Sequence, residues 1–448
     1  MGMVKVRFAP SPTGRIHLGN ARGALINWLH ARRHQGQLLL RLDDTDRERS
    51  TEAFALGIQD DLRWLGLGWD DCVRQSDRLA RYEAAADALR GAGRLYPCYE
   101  SEEELQLKRF QMVAGGGVQV YDRAALRLSD RQIRAFEAEG RRPHWRFLIA
   151  YEETAWTDTI RGPQMFQGSK LSDPVLVRAD GSPTYTLASV VDDTELGITH
   201  VIRGEDHVAN TAVQLQIFKA LGAAADIAFA HFTLLTDAGG HNLSKRLGSL
   251  SIESLRAEGL EAMAINSLLA RLGTSDPVEP VADLERLIAG FDLERFGRAA
   301  PKLDLEEIRR LNGPVLHAMP FAAVRERLVA LGLDAMDDGF WTAIRANLSR
   351  LDDACAWWAI CRSALMPLIE DADYLVQAAS LLPSSPWDET TWGNWTRAIG
   401  AATGRKGRSL FMPLRLALTA REHGPELKTL LPILGRERAE ARLRGETA

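Results

Sequence analysis

The chain has 448 residues, 46% of them apolar and 26% charged. At roughly 150 residues per domain this leaves room for about three domains, each able to bury a core, which excludes a lone peptide-binding module. Lysine and arginine total 55 against 60 aspartates and glutamates, a formal net charge of -5 that excludes a globally basic nucleic-acid wrapper but says nothing against local basic surfaces. The four cysteines, Cys72, Cys98, Cys355 and Cys361, form no CxxC pair. A chain this long needs no disulfide staples, so a reducing compartment is expected. Cations, prolines and glycines break up residues 1–30, and no run of about 18 apolar residues follows, which points to a soluble cytoplasmic protein with no membrane contact.

In chain order, Val4–Phe8 alternates like a short strand, and the prolines and glycine of Ala9–Gly14 require a loop. Ala21, Ala24, Leu25, Trp28 and Leu29 then recur at helical spacing between Gly19 and His34, and Leu38–Leu42 reads as a buried strand. This strand–loop–helix–strand opening is the βαβ unit of a parallel nucleotide-binding sheet. Residues 80–185 are less regular and read as an insertion, with strand-like pieces at Trp145–Ile149 and Val175–Arg178. The sheet is expected to resume with Thr186–Val191 and Ile198–Arg203, followed by a helix over Asn210–Leu221. From about residue 250 the periodicity is helical, including Leu305–Leu311, Phe321–Leu331, Phe340–Leu351 and Trp357–Leu368.

Two constellations carry chemistry. The first, Arg7–Asn20, lies where a strand hands over to a helix. Helix N–H groups face outward there, Gly19 allows close approach to the backbone, and His17 can donate to a phosphate. A lone H-x-G is more often a turn with an incidental histidine. The second, His241–Arg246, places Lys245, Arg246 and the Ser244 hydroxyl in a short polar loop, where Lys245 could sit over developing negative charge. Two adjacent cations more often mark a solvated face.

Taken together, these motifs resemble the HIGH and KMSKS signatures of class I aminoacyl-tRNA synthetases. The fuller text resembles the bacterial glutamyl-tRNA synthetase family through F-A-P-S-P-T-G at 8–14, R-L-D-D-T-D at 41–46, P-T-Y-T-L-A-S-V-V-D-D at 183–193, V-I-R-G-E-D-H at 201–207 and L-S-K-R at 243–246. Further matches are T-G-R-K-G-R at 403–408 and F-M-P-L-R-L-A-L-T at 411–419. The resemblance implies a glutamate pocket in which Arg7 pairs with a substrate carboxylate beside Ala9 and Ser11, Arg203 supplies a second guanidinium, and Tyr185 and Ser189 add hydroxyls. Asp43, where relatives commonly carry glutamate, would receive the ammonium. His17, Gly19 and Lys245 would hold ATP, with Asn20, Ser244 and Arg246 completing the catalytic set. Plainer readings stand beside these: Arg7 and Asp43 as an ion pair between neighbouring strands, and Tyr185 as a core aromatic. The first lysine of KMSKS is replaced by Asn242, which brings no charge and shifts the load to Lys245.

The expected fold is α/β, a Rossmann-type parallel-sheet catalytic domain with an α+β insertion, followed by an all-α anticodon-binding region. The expected spans are 1–80 and 186–240 for the two catalytic halves, 81–185 for an inserted acceptor-end-binding domain, 241–310 for the KMSKS-type loop and stem contacts, and 311–448 for the helical region. Residues 401–448 carry ten cations against five acids, a net of +5 within a chain of -5. Such a run is more often a solvated face, but it also suits attraction to a phosphate backbone, with Arg405, Lys406 and Arg408 the candidate tRNA contacts. The implied activity is glutamate–tRNA ligation by a monomer, with ATP as substrate, Mg2+ beside it and tRNA(Glu) as partner. Whether tRNA(Gln) is also charged is left open. Cys98 has no cysteine partner before Cys355, so no structural zinc is expected. Three rivals remain: a glutaminyl enzyme, disfavoured by the helical tail; a shortened tRNA-modifying relative, disfavoured by length; and a non-catalytic paralogue, favoured only by Asn242.

Overall fold

The computed structural model describes residues 2–114, 120–223, 227–237, 239–241 and 251–448. Asn242, Ser244, Lys245 and Arg246 lie outside the described residues. The chain forms two compact units, one of residues 1–255, 266–279 and 283–304, the other of residues 256–265, 280–282 and 305–448.

The first unit opens as its sequence pattern requires. Strand β1 (Lys5–Phe8) leads into helix α1 (Leu18–Arg33), and strand β2 (Gln37–Leu42) returns parallel to β1, pairing Arg7 with Leu39. All but the first residue of β2 are buried, as expected for an apolar run inside a parallel sheet. Helix α2 (Glu52–Trp64), capped by the Thr51 hydroxyl on the Phe54 N–H, crosses to β3 (Asp71–Arg74). The chain then passes through helix α3 (Leu79–Gly91), β4 (Leu95–Cys98), helices α4 (Glu102–Ala114) and α5 (Asp130–Ala138), and strands β5 (His144–Phe147), β6 (Glu153–Asp158), β7 (Gly162–Gln167) and β8 (Val175–Val177). Helix α6 (Tyr185–Glu195), β9 (His200–Gly204), helix α7 (Val208–Ala220) and β10 (Ala228–Phe232) complete the unit's sheets.

The main sheet has the order β3-β2-β1-β9-β10-β6-β7, parallel throughout except for the β6–β7 hairpin at its edge. Successive strands run outward from β1 to β2 and β3, whereas β9 and β10 build on the other side. The β1/β9 junction is therefore the topological switch point, where the carboxyl ends of parallel strands open a crevice. Arg7 and Arg203 stand at the carboxyl ends of those two strands.

Two differences from the sequence expectations have clear physical causes. Thr186–Val191 is not a strand but part of α6. Leu187–Asp193 are all buried, so the helix shows no polar stripe and its apolar run carries no helical period. The range 81–185 is also not one body. Strands β4, β5 and β8 form their own antiparallel sheet, while β6 and β7 extend the main sheet, with the Thr159 N–H donating to the Phe229 carbonyl beside the β6–β10 pairing.

The second unit is helical, as expected. Its two cores gather Leu316, Phe340, Trp341 and Trp357 on one side and Tyr374, Trp395, Ile399 and Leu414 on the other. The helices expected over Phe340–Leu351 and Trp357–Leu368 end sooner, at Ile344, where the chain tightens into a 3-10 turn over Arg345–Asn347, and at Arg362, where Ser363 turns extended. The four cysteines are free thiols; Cys361 is buried and Cys355 partly so. Cys98 is buried and donates to Glu100 at 3.1 Å.

Candidate active site

A cleft of about 340 Å3 lies at the switch point, lined by Arg7, Ala9, His17, Gly19, Asn20, Tyr185 and Arg203 among others. These residues come from β1, the α1 entrance, α6 and β9. Ser11 is exposed in the loop beyond it, and Asp43 and Ser189 are buried one layer behind its wall.

The α1 entrance differs from the simple picture of outward-facing helix N–H groups. His17 is the N-cap, and its Nδ1 accepts from the Gly19 N–H at 3.1 Å and the Asn20 N–H at 3.4 Å. A Cβ on Gly19 would lie 3.0 Å from the His17 ring, so glycine lets the ring fold back as a cap. Burial holds the His17 pKa below the ordinary histidine value. With Nδ1 an acceptor in a neutral ring, the proton resides on Nε2, which makes His17 a neutral donor at the cleft. Ser251 bridges to His17, and the Ile252 N–H donates to the Ile16 carbonyl at 2.9 Å.

Behind the wall is a buried charge network whose Arg41, Asp192 and Asp193 sequence reading quoted in its motifs without assigning roles. Arg7 does not pair with Asp43. Its Nε donates to Asp193 at 3.2 Å, and its two terminal nitrogens have no partner among the described residues. Arg41, fully buried, is the hub. It donates to both Asp43 oxygens at 2.7 and 3.1 Å, to Asp193 at 2.9 Å and to the Ser189 hydroxyl at 3.2 Å. Asp192, the third carboxylate, accepts from Gln75, Arg78 and Tyr82. Burial pushes the Asp43 carboxyl up to about 6 despite the opposing pull of Arg41. Two successive aspartates closing the 183–193 motif were the signal available for this network, but adjacent residues on a helix face different ways, so their joint role depends on the fold.

Arg203 is 7% exposed, and its NH1 donates to the Tyr185 hydroxyl at 3.0 Å. Its other bonds run to Thr211, Gln214 and His231, none of which sequence reading singled out. His207, within the quoted 201–207 motif, lies 5.5 Å from the Tyr185 ring, and burial together with Arg203 brings its pKa down to about 4. Tyr185 is thus tied to the cleft rather than to a closed core.

In the helical unit, Arg405 pairs with Asp371 at 2.5 Å and stacks 4.0 Å over Tyr374. Lys406 and Arg408 are exposed without partners among the described residues. The +5 tail is largely committed to the fold: fully buried Arg442 donates to the Leu418 and Ile360 carbonyls, Arg415 to Pro425 and Arg438 to Cys361.

Residues 3–310 match the family described as "tRNA synthetases class I (E and Q), catalytic domain", and residues 367–446 match "Anticodon binding domain". The chain is 56% identical over 446 residues to the glutamate–tRNA ligase of Azospirillum brasilense, covering 99% of this chain and 100% of that one. It is 57% identical to glutamate–tRNA ligase 1 of Rhizorhabdus wittichii, with 99% of both covered. Among solved structures, a glutamate tRNA ligase from Elizabethkingia meningosepticum in complex with its amino acid superposes with a TM-score of 0.85 at 25% identity, over 99% of this chain and 98% of that one. The two arginines at the switch point, the histidine-capped helix beside them and this full-length similarity converge: the chain belongs to the class I tRNA synthetases for glutamate and glutamine, and among them to the bacterial glutamate–tRNA ligases.

Proposed function

We propose that this glutamate–tRNA ligase activates L-glutamate with ATP in the switch-point cleft and there transfers it to tRNA. The observation that carries the reading is the convergence of Arg7 and Arg203 on one cleft, with the terminal nitrogens of Arg7 unengaged. Two guanidiniums suit a substrate with two carboxylates. Asp43, one layer behind them, supplies the negative charge that attracts the ammonium; Ala9 and Tyr185 line the pocket, Ser189 braces its wall through Arg41, and Ser11 sits in the loop beyond it.

The glutamate α-carboxylate attacks the α-phosphorus of ATP, forming the glutamyl–adenylate anhydride and releasing pyrophosphate. The terminal ribose hydroxyl of tRNA then attacks the anhydride carbonyl and releases AMP. His17 donates through Nε2 to the phosphates, Gly19 and Asn20 leave the backbone approachable, and Lys245 with Ser244 and Arg246 adds positive charge for the phosphates. Asp206 is the single carboxylate among the residues lining the cleft. One carboxylate beside substrate phosphates fits Mg2+, which neutralises phosphate charge when bound. No protein nucleophile is needed; positioning and electrostatic stabilisation suffice.

Residues 81–185 bind the tRNA acceptor end. Support comes from a second groove of about 1070 Å3 lined by Arg47, Arg49, Arg90, Arg142 and Arg178, with Arg90 lying 4.4 Å over the Trp145 ring. Residues 241–310 carry the loop and stem contacts, and 311–448 read the anticodon through Arg405, Lys406 and Arg408. The protein acts as a cytoplasmic monomer on tRNA(Glu). Among the described residues no helix is long and apolar enough to cross a membrane. ATP–pyrophosphate exchange with glutamate and with glutamine, with and without tRNA, tests the reading. Glutamate-specific, tRNA-dependent exchange is expected, and exchange with neither amino acid overturns it. Charging of separated tRNA(Glu) and tRNA(Gln) decides whether the second acceptor is used.

A further inference from the structure

We infer that His231, locked in one tautomer by Asp158, is the positioning residue that aims Arg203 into the cleft; this rests on Arg203 being a carboxylate-binding group of the glutamate pocket. His231 on β10 and Asp158 on β6 are both buried. Asp158 Oδ1 accepts from three backbone N–H groups, those of Ile160 at 3.0 Å, Arg161 at 2.9 Å and His231 at 3.1 Å. Its Oδ2 is left facing His231 Nδ1, within hydrogen-bond reach. A carboxylate so supplied with donors is an acceptor only, so the imidazole proton resides on Nδ1.

His231 Nε2 is consequently an acceptor, and two donor groups face it: Arg203 Nε at 3.2 Å and the Thr211 hydroxyl at 3.0 Å. Arg203 NH2 donates to Thr211 at 2.8 Å and Gln214 at 2.7 Å, and NH1 donates to Tyr185 at 3.0 Å. Four of the five guanidinium N–H groups are thereby engaged, leaving one on the nitrogen that also holds Tyr185, at the cleft. The opposite tautomer would point an Nε2–H at the Arg203 Nε–H, donor against donor, and turn the guanidinium away. The β6–β7 hairpin at the sheet edge thus acts on the site by delivering Asp158 to β10.

Asp158→Asn tests the lock with almost no change in shape. Because three N–H groups hold an oxygen at the Oδ1 position, the amide nitrogen must take the Oδ2 position and donate to Nδ1, forcing the Nε2–H tautomer. The KM for glutamate in tRNA-dependent exchange by the full-length enzyme should rise roughly tenfold or more, with the KM for ATP within about twofold. His231→Ala should match it, while His231→Gln, whose carboxamide oxygen can accept from Arg203, should keep most of the affinity. Nitrogen-15 NMR of the imidazoles gives a readout that a merely structural role would not move, and one that needs no variant: the wild type should show His231 as the Nδ1–H tautomer, and Asp158→Asn should reverse it. A wild-type Nε2–H tautomer overturns the proposal, as does a glutamate KM that responds to Arg203→Ala but not to Asp158→Asn. A glutamate KM indifferent to Arg203→Ala overturns the pocket reading itself.

Discussion

Replacing Arg41 with methionine should destabilise the fold in a pH-dependent way that reports the Asp43 carboxyl directly. Among the described residues Arg41 is the only hydrogen-bond partner of the Asp43 side chain, whereas Asp193 keeps Arg7 and Asp192 keeps Arg78, Gln75 and Tyr82. Deprived of its guanidinium, Asp43 escapes by protonating. From a carboxyl already raised to about 6, that escape at pH 7 costs about 1.4 kcal/mol, one pH unit's worth. Loss of the charged bond to Asp193 adds about 1.5–3 kcal/mol, giving about 3–4 kcal/mol in all, a large share of a typical folding stability. The sign follows from the raised carboxyl. Below pH 6 Asp43 is protonated in both proteins, so its share of the loss disappears; above pH 6 the share grows for as long as the variant's Asp43 stays protonated and levels off once pH passes that carboxyl's own, higher pKa. Urea denaturation of wild type and Arg41→Met at pH 5.5 and 7.5 measures this. A loss below about 0.5 kcal/mol, or an equal loss at both pH values, would refute the reasoning, because surface-like substitutions fall within that range and a pH-independent loss would mean Asp43 is not the responding group.

Other outcomes follow from the same geometry. The kcat/KM for glutamate should fall as pH drops through about 6, since protonation removes the charge that receives the ammonium; a flat profile from pH 5 to 7.5 would remove Asp43 from that role. His30, buried beside His34 and His200 with its pKa brought down to about 3, is neutral in the fold but takes up a proton near 6.5 when unfolded. Stability is therefore lost as pH falls below 6.5, by about 2 kcal/mol at pH 5, and His30→Leu should flatten that acid limb in thermal melts. Lys245→Ala should abolish adenylate formation while leaving tRNA binding intact, and near-normal exchange would sink its assignment. Lys406→Ala and Arg408→Ala should each weaken tRNA binding and lower the slope of log affinity against log salt by roughly 0.7, as single-strand phosphate contacts do; an unchanged slope would place them outside the interface.

Much of this protein was legible because its chemistry is local. Two prolines and one glycine between an alternating strand and an apolar-periodic helix dictate the β1–α1 turn. The motifs by themselves carry Arg7, His17, Tyr185 and Arg203. What was misread depended on neighbours. Thr186–Val191 looked like strand because α6 is buried on nearly every face, and burial is a property of the surrounding layers. Within the +5 tail the charge count does not tell which cations are free: Lys406 and Arg408 are exposed, whereas Arg442 and Arg438 hold the helical unit together through main-chain carbonyls.

The sequence by itself determined the local elements, the family and the residue types of the site, because hydrophobic period, turn chemistry and motif spacing act over a few residues. Only the tertiary structure decided the partners of those residues. Sheet order brings β1 beside β9 and so sets two arginines 196 positions apart on one cleft. Burial decides that Arg41 rather than Arg7 answers Asp43, and an edge hairpin decides which nitrogen of His231 faces Arg203. Long-range pairing, desolvation and hydrogen-bond direction are settled by what lies across the fold.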